Sequence, residues 1–148
     1  MTTSLDERRE SIAGRVSGKI ALVTGGASGI GRATAILLAE QGARVAVADL
    51  SEADGQEVIR AIESKGGEAF FSRMDVTSEA SVQNTVAQII EKWRCRDVLV
   101  NNAGVAGIQK PIHEVTAKEY DSVMDVNVRG VFHCTKHSIL AMREGGSI

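Results

Sequence analysis

The residue pattern best suited to chemistry is the glycine-rich stretch Thr24-Gly25-Gly26-Ala27-Ser28-Gly29-Ile30-Gly31. Gly25 would allow a tight turn out of a strand, Gly29 would let backbone approach a pyrophosphate, and Gly31 would let the following helix pack closely. The N-terminus of that helix would offer free N–H groups to phosphate oxygens. We therefore predict a dinucleotide-phosphate site and assign Ser28 and Ile30 to it. A turn with only a folding role is the alternative.

A second chemical signal is the carboxylate of Asp49, which follows an apolar run downstream of the glycine-rich stretch. A carboxylate in this place can accept hydrogen bonds from adenosine ribose hydroxyls, and it would repel a 2′-phosphate. Neither Ala27 nor Ser28 supplies a cation to offset that repulsion, and Arg32 is the one cation close to the loop. We therefore expect NAD as the cofactor rather than NADP, and we assign Asp49 and Leu50 to its site. An ordinary acid before a helix is the alternative for Asp49.

The elements that must position these residues alternate between buried strands and amphipathic helices. Four apolar runs are continuous, as in strands covered on both faces: Ile20–Val23, Val45–Ala48, Ala69–Phe71 and Val98–Val100. Helical periodicity separates them. This alternation predicts an α/β fold, a Rossmann-type doubly wound parallel sheet with strand order 3-2-1-4. We expect a three-layer α/β/α arrangement that lacks its later strands.

The chemistry-bearing residues all follow the ends of predicted strands. The glycine loop follows strand 1, Asp49 follows strand 2, Asp75 follows strand 3, and the run 101–104 (Asn-Asn-Ala-Gly) follows strand 4. Ligands of such sheets bind outside the carboxyl ends of the strands. The four clusters are therefore expected to meet at one edge of the sheet.

Together these segments resemble the short-chain dehydrogenase/reductase family, in its N-terminal cofactor-binding portion. The similarity runs from about Gly18 to the end of the chain and depends on the glycine loop, Asp75-Val76, the run 101–104 and Asn127. The resemblance implies an NAD-dependent oxidoreductase that interconverts a secondary alcohol and a ketone by hydride transfer.

The resemblance also implies roles for individual residues. Asp75 would bind the adenine amino group and Val76 would contact the ring. The cofactor riboses would lie over a floor made by Asn102, Ala103 and Gly104. Asn127 would be the asparagine of the family's Asn-Ser-Tyr-Lys catalytic tetrad.

Before strand 4 the family usually has a glycine turn, whereas this chain has Trp-Arg-Cys-Arg-Asp at 93–97, which leaves the conformation of that loop open.

The serine, tyrosine and lysine of that tetrad have no counterpart in this sequence. Tyr120 is followed four residues later by Met124 and not by lysine, and Ser147 lies too early in its predicted strand. We therefore expect the chain to bind cofactor without turnover of its own. A non-catalytic nucleotide-binding module and an inert truncated product are the alternatives.

The last predicted helix runs from about Ala117 to Met142, ended by Gly145 and Gly146, with Ser147 opening the next strand. Its apolar positions spread over more than one face, which predicts packing on the sheet and on another element or subunit. The resemblance implies that this helix commonly forms the oligomer interface, so we expect a homo-oligomer in the intact enzyme.

Composition limits the remaining possibilities. Over 148 residues the net charge is −2, which gives no reason to expect a nucleic acid or an anionic membrane as partner. Two distant cysteines match no metal or redox spacing, which favours a cytoplasmic protein. The resemblance implies that the intact enzyme acts on a small-molecule alcohol or ketone. His133 and His137 could share a zinc ion, but no third ligand is near in sequence, so no metal site is predicted.

Residues 1–17 are interpreted as a flexible leader and 18–148 as one NAD-binding domain, incomplete at its C-terminus.

Overall fold

The computed structural model describes residues 14–148, which form a parallel sheet between two layers of helices. The elements in chain order are β1 (Ile20–Thr24), α1 (Gly29–Glu40), β2 (Arg44–Asp49), α2 (Glu52–Glu63), β3 (Ala69–Arg73), α3 (Glu79–Trp93), β4 (Arg96–Val100), a 3-10 turn (Ile112–Glu114), α4 (Ala117–Met124), a π-helical turn (Asp125–Arg129), α5 (Gly130–Ile139) and β5 (Met142–Ser147). The strands lie in the order β3-β2-β1-β4-β5. The predicted order 3-2-1-4 is confirmed, and a fifth strand lies beside β4.

The central strand β1 is buried along its whole length because helices cover both faces of the sheet. Its side chains alternate between two cores. Ile20 and Leu22 pack with Val82 and Ile89 of α3 on one face. Val23 belongs to the core formed with α1 and α2 on the other face. Two-sided burial explains why this strand reads as a continuous apolar run.

The long helix that the sequence predicts over 117–142 is divided in the structure, and its predicted end is wrong. α4 ends at Met124, a π-helical turn follows, and α5 ends at Ile139. Met142 already begins β5, so Gly145 and Gly146 lie inside a strand and do not follow a helix. The Arg96 N–H donates to the Ala141 carbonyl (3.2 Å) at the start of this pairing, so the chain leaves the helix earlier than its side-chain pattern indicates.

Residues 14–17, which the sequence assigns to the leader, are attached to the turn between α1 and β2. The Val16 N–H donates to the Gln41 carbonyl (3.3 Å), and the Gly18 N–H donates to the Gly42 carbonyl (3.0 Å). Val16 also packs against the core beneath α1 and α2. The rest of the predicted leader, residues 1–13, lies outside the described residues.

The loop before β4, left open by the sequence, ends α3 in an unusual conformation. Arg94 caps the helix with φ +71°, in the left-handed region that glycine adopts most easily. It is the only non-glycine residue with positive φ among residues 14–148. The chain then enters β4 directly, and Asp97 accepts a hydrogen bond from the Ile20 N–H (2.9 Å). A strained arginine thus ends α3 at the position where glycine would be the easiest residue to place.

Arg96, the first residue of β4, is a charged side chain in the core. It is fully buried, and its three guanidinium nitrogens have no hydrogen-bond partner among the described residues. Burial lowers the pKa of Arg96 to about 10. Burial also raises the pKa of the neighbouring Cys134 thiol to about 11. The core between β4 and α5 therefore holds an uncompensated charge, which is costly in an apolar environment.

Within residues 14–148, the structure has no helix with both the length and the apolar character needed to cross a membrane.

Candidate functional site

A cleft of about 400 Å³ opens beyond the carboxyl ends of the first four strands. Its walls come from the turns after these strands and from the π-helical turn. The lining residues are Gly25, Ser28, Gly29, Ile30, Asp49, Leu50, Met74, Asp75, Val76, Asn102, Ala103, Gly104, Val105 and Val126. The sequence-predicted binding residues all line this cleft except Gly31. Met74, Val105 and Val126 are additional lining residues.

The glycine loop forms the wall of the cleft at the N-terminus of α1. Gly25 (φ +61°) and Gly29 (φ +51°) both adopt left-handed conformations that side chains disfavour. Beside Gly29 the space is open, so backbone is accessible there without an intervening side chain. The N–H groups of the first helical turn have no intrahelical acceptor, and the helix dipole adds positive potential. This wall can therefore accept an anionic group such as phosphate.

Gly31 lies beneath the loop and acts through packing. A Cβ on Gly31 would overlap the Gly25 carbonyl oxygen and the side-chain amide of Asn102. A Cβ on Gly25 would come within 2.8 Å of the Ala103 Cα. The absence of both side chains lets the glycine loop, helix α1 and the turn after β4 pack together at one point.

Thr24 and Asn102 join the glycine loop to the turn after β4. The Thr24 hydroxyl accepts hydrogen bonds from the backbone N–H groups of Asn102 and Ala103, each at 3.0 Å. The Asn102 amide donates to the carbonyls of Thr24 (3.0 Å) and Gly25 (2.9 Å). These bonds fix the two loops that face each other across this part of the cleft.

The Asp49 carboxylate is held at the end of β2 by two backbone donors. Its Oδ2 accepts from the Ala27 N–H (3.0 Å), and its Oδ1 accepts from the Ser51 N–H (3.1 Å). Both oxygens keep further lone pairs, because an ionised carboxylate has about four acceptor positions. The side chain is thus oriented by protein and can still accept hydrogen bonds from hydroxyl groups in the cleft. The neighbouring Leu50 is exposed at the mouth.

Asp75 and Val76 form the wall after β3. The Asp75 Oδ1 accepts from the Thr77 N–H (2.9 Å) and from the Thr77 hydroxyl (2.7 Å). Its Oδ2 has no hydrogen bond to any residue of 14–148, so it is the acceptor available to a ligand. Val76 is buried and presents an apolar surface to the cleft. A polar acceptor beside an apolar wall suits a flat ring that carries an amino group.

Asn127 lies in the π-helical turn and does not line the cleft. Its Nδ2 donates to the Val105 carbonyl (2.9 Å), and its Oδ1 accepts from the Val105 N–H (2.8 Å). This reciprocal pair fixes the segment after Gly104 against the helical turn. Single-turn π segments inside helices are frequent at functional sites. Asn127 therefore has a positioning role in the described structure.

These features coincide with a match to a family model described as short chain dehydrogenase, which covers residues 19–148. The chain belongs to this family. The resemblance read from the glycine loop, Asp75-Val76, the run 101–104 and Asn127 is thereby confirmed.

Similar proteins of the family include a 2,5-dichloro-2,5-cyclohexadiene-1,4-diol dehydrogenase of Sphingobium indicum, 43% identical over 132 residues that make up 89% of this chain and 52% of the relative. A cyclopentanol dehydrogenase of a Comamonas strain is 40% identical over 131 residues, 88% of this chain and 52% of the relative. Among solved structures, an NAD+-bound xylitol dehydrogenase superposes with a TM-score of 0.83 at 35% identity, covering 86% of this chain and 49% of the other. The chain thus spans about half the length of the relatives it matches.

The side chains that could be mistaken for the missing tetrad residues lie elsewhere. Tyr120 is exposed on α4, and Ser147 pairs with Val98 in the sheet. Lys136, on α5, forms an ion pair with Glu79 (2.7 Å). None of the three lines the cleft.

The two histidines at zinc-compatible spacing do not converge on one point. The ring of His133 contacts the Val76 carbonyl, whereas His137 contacts Glu79. Among residues 14–148, no three histidine, cysteine or acidic side chains are grouped as metal ligands would be.

Proposed function

We propose that residues 18–148 are the NAD-binding domain of a short-chain dehydrogenase that interconverts a secondary alcohol and a ketone by hydride transfer. The observation that carries the proposal is the convergence of four strand-end turns on one cleft. These turns bring together a helix N-terminus, two carboxylates and a floor of small residues. An NAD+-bound xylitol dehydrogenase of the same fold supports it.

The donor and acceptor groups of the cleft fit the parts of a dinucleotide. The α1 N-terminus offers N–H groups for the pyrophosphate. Asp49 offers carboxylate oxygens for the adenosine ribose hydroxyls, and Asp75 Oδ2 offers an unused acceptor for the adenine amino group. The bound nicotinamide would supply or accept the hydride, while the chain's own residues bind and orient the cofactor.

NAD is proposed over NADP because the Asp49 carboxylate would lie close to a 2′-phosphate and repel it. The two backbone N–H groups that bind Asp49 hold the carboxylate in place, so it cannot easily swing away. Arg32, on the exposed side of α1, is the cation that would have to compensate.

The proton-transfer half of the reaction is proposed to need residues outside this chain, because no serine, tyrosine or lysine here matches the tetrad. Asn127 is proposed as the tetrad asparagine, acting by holding the Val105 segment. An assay of NAD reduction with a panel of secondary alcohols tests this step. We expect no turnover from the 148-residue chain, and measurable turnover would refute it.

A small-molecule alcohol or ketone is the proposed substrate of the whole enzyme, and α4 and α5 are its proposed oligomer interface. Large apolar side chains exposed on this segment support the interface: Tyr120, Val128, Phe132 and Ile139. Sedimentation of the whole enzyme, compared with a Phe132→Glu variant, tests it. A variant that keeps the oligomeric state of the unaltered enzyme would refute this interface.

The binding proposal is tested by calorimetric titration with NADH and NADPH. The unaltered protein should bind NADH at least tenfold more tightly. In Asp49→Ser the hydroxyl carries no charge, so the preference for NADH over NADPH should shrink or reverse. Glu52→Gln, an exposed charge change at the start of α2, is the matched control and should keep it. Equal affinities for both cofactors in the unaltered protein would refute the assignment of Asp49.

A further inference from the structure

His133 of α5 makes a buried hydrogen bond to the wall of the cleft, 57 residues away in sequence. Its ring Nδ1 lies 3.1 Å from the carbonyl oxygen of Val76, and its side chain is only 8% exposed. A carbonyl oxygen can only accept, so Nδ1 must carry the proton in this contact. In the described part of the chain, no other donor reaches this carbonyl.

The same face of α5 packs directly against Val76. A Cβ on Gly130 would come within 2.7 Å of the Val76 Cγ2, so the glycine lets the helix approach this residue closely. Gly130 and His133 are three residues apart and therefore lie on one face of the helix. Gly130 contacts the side chain of Val76, and His133 binds its backbone carbonyl.

A second attachment joins the end of α5 to the start of α3, just beyond the same wall. Lys136 Nζ and His137 Nε2 both donate to Glu79 Oε1, each at 2.7 Å. These bonds lower the pKa of Glu79 to about 2, with the hydrogen bond from Lys136 as the larger cause. The segment from Val76 to Glu79 is therefore held at both ends by one helix.

We propose that His133 is a positioning residue for the adenine end of the cleft. Its Nδ1–H fixes the Val76 carbonyl and thereby the apolar wall against which an adenine ring packs. This role rests on the proposed function, because it concerns the part of the cleft assigned there to adenine. It also accounts for the histidine pair at 133 and 137, whose two rings bind the two ends of one segment and do not share a metal.

The test compares two substitutions at this position. His133→Leu fills a similar volume without a donor. His133→Asn places an amide N–H close to where Nδ1 lies, so it should restore the bond. Val131→Ala, an exposed position on the same helix, is the control for general effects on α5.

The first measurement needs no ligand. Amide hydrogen exchange at Thr77 and Ser78, which lie in the turn after Val76, should be faster in His133→Leu. It should be unchanged in His133→Asn and in the control. Unchanged exchange in His133→Leu would overturn the inference whether or not the protein binds a dinucleotide.

The second measurement is the affinity for NADH and for nicotinamide mononucleotide, which lacks adenosine. Losing one buried hydrogen bond should weaken NADH binding about five- to tenfold in His133→Leu and leave the mononucleotide unaffected. His133→Asn should bind NADH as the unaltered protein does.

The outcomes separate the inference from the proposed function. If the unaltered protein binds NADH and His133→Leu binds it equally well, the inference is wrong and the proposed function stands. If the unaltered protein does not bind NADH, the proposed function and the adenine role of His133 both fail. Should His133→Leu not fold, faster exchange or weaker NADH binding in a folded His133→Asn variant would contradict the inference.

Discussion

Replacing Arg96 by leucine should stabilise the fold, because the charge is buried without a partner. Burial lowers the pKa of this guanidinium well below its ordinary value, to about 10. Since one pKa unit corresponds to about 1.4 kcal/mol, burial penalises the charged form by ~3 kcal/mol at neutral pH. Leucine adds apolar burial next to Cys134 and Met142 and removes three unsatisfied donors. We expect a net gain of about 2–4 kcal/mol in the free energy of unfolding.

Urea denaturation followed by circular dichroism measures this gain. Arg60→Leu, which removes the same charge from an exposed position of α2, is the control and should change stability by less than about 0.5 kcal/mol. The pH dependence of the free energy of unfolding gives a second test. Because the pKa of Arg96 is lower in the folded than in the unfolded state, the folded state loses the proton first, and the unaltered protein should gain stability as pH rises above about 10. Arg96→Leu should lack that component.

A loss of stability in Arg96→Leu would refute the reasoning. It would mean that the guanidinium makes favourable interactions that outweigh its desolvation. A gain equal to that of Arg60→Leu would also refute it, because the effect would then come from net charge and not from burial.

Three further predictions follow from the backbone and the charges. Gly31→Ala should abolish NADH binding in calorimetry, because the added Cβ overlaps Gly25. It should also lower the free energy of unfolding by about 1–3 kcal/mol in urea denaturation. Tight NADH binding by the variant would contradict this. Arg94→Gly should raise stability by about 0.5–1 kcal/mol by relieving the positive φ, whereas a decrease would argue against strain. Glu79→Gln should flatten the acid limb of the stability–pH curve. The carboxylate stabilises the fold above about pH 4.5 and loses this effect as pH falls towards 2, so an unchanged curve in the variant would refute the pairing.

The strand order and the convergence of the cleft residues could be predicted because both follow from local pattern and topology. β1 and β2 are covered on two faces, which leaves a continuous apolar run that no exposed element shows. Once the strands are parallel, their carboxyl ends share an edge, and this brings Asp49 and Asp75 to the glycine loop. Long-range contacts were not needed for either step.

The features that could not be predicted depend on contacts distant in sequence. Nothing in the side-chain pattern of 117–142 marks a π-helical turn, which is tied to the bonds between Asn127 and Val105. The early start of β5 depends on pairing with β4. Val126 lines the cleft only because this turn brings it there.

The burial of two polar side chains could not be predicted from the sequence pattern either. Hydropathy places arginine at the surface, yet Arg96 is fully buried. The spacing of His133 and His137 indicates two possible zinc ligands, whereas His133 in fact binds the backbone carbonyl of Val76. A contact to backbone cannot be predicted from the type of the partner residue. Both cases concern the packing of α5 against the sheet, which only the folded arrangement defines.

The central claim is that a dinucleotide binds in the cleft at the carboxyl edge of the sheet. The most direct test is to titrate isotope-labelled protein with NADH and follow backbone amide resonances. The account predicts that the largest shifts fall in three segments, 25–31, 75–76 and 102–105, with Arg60 and other positions far from the cleft unaffected. Saturable binding without shifts in these segments, or no binding at all, would contradict it.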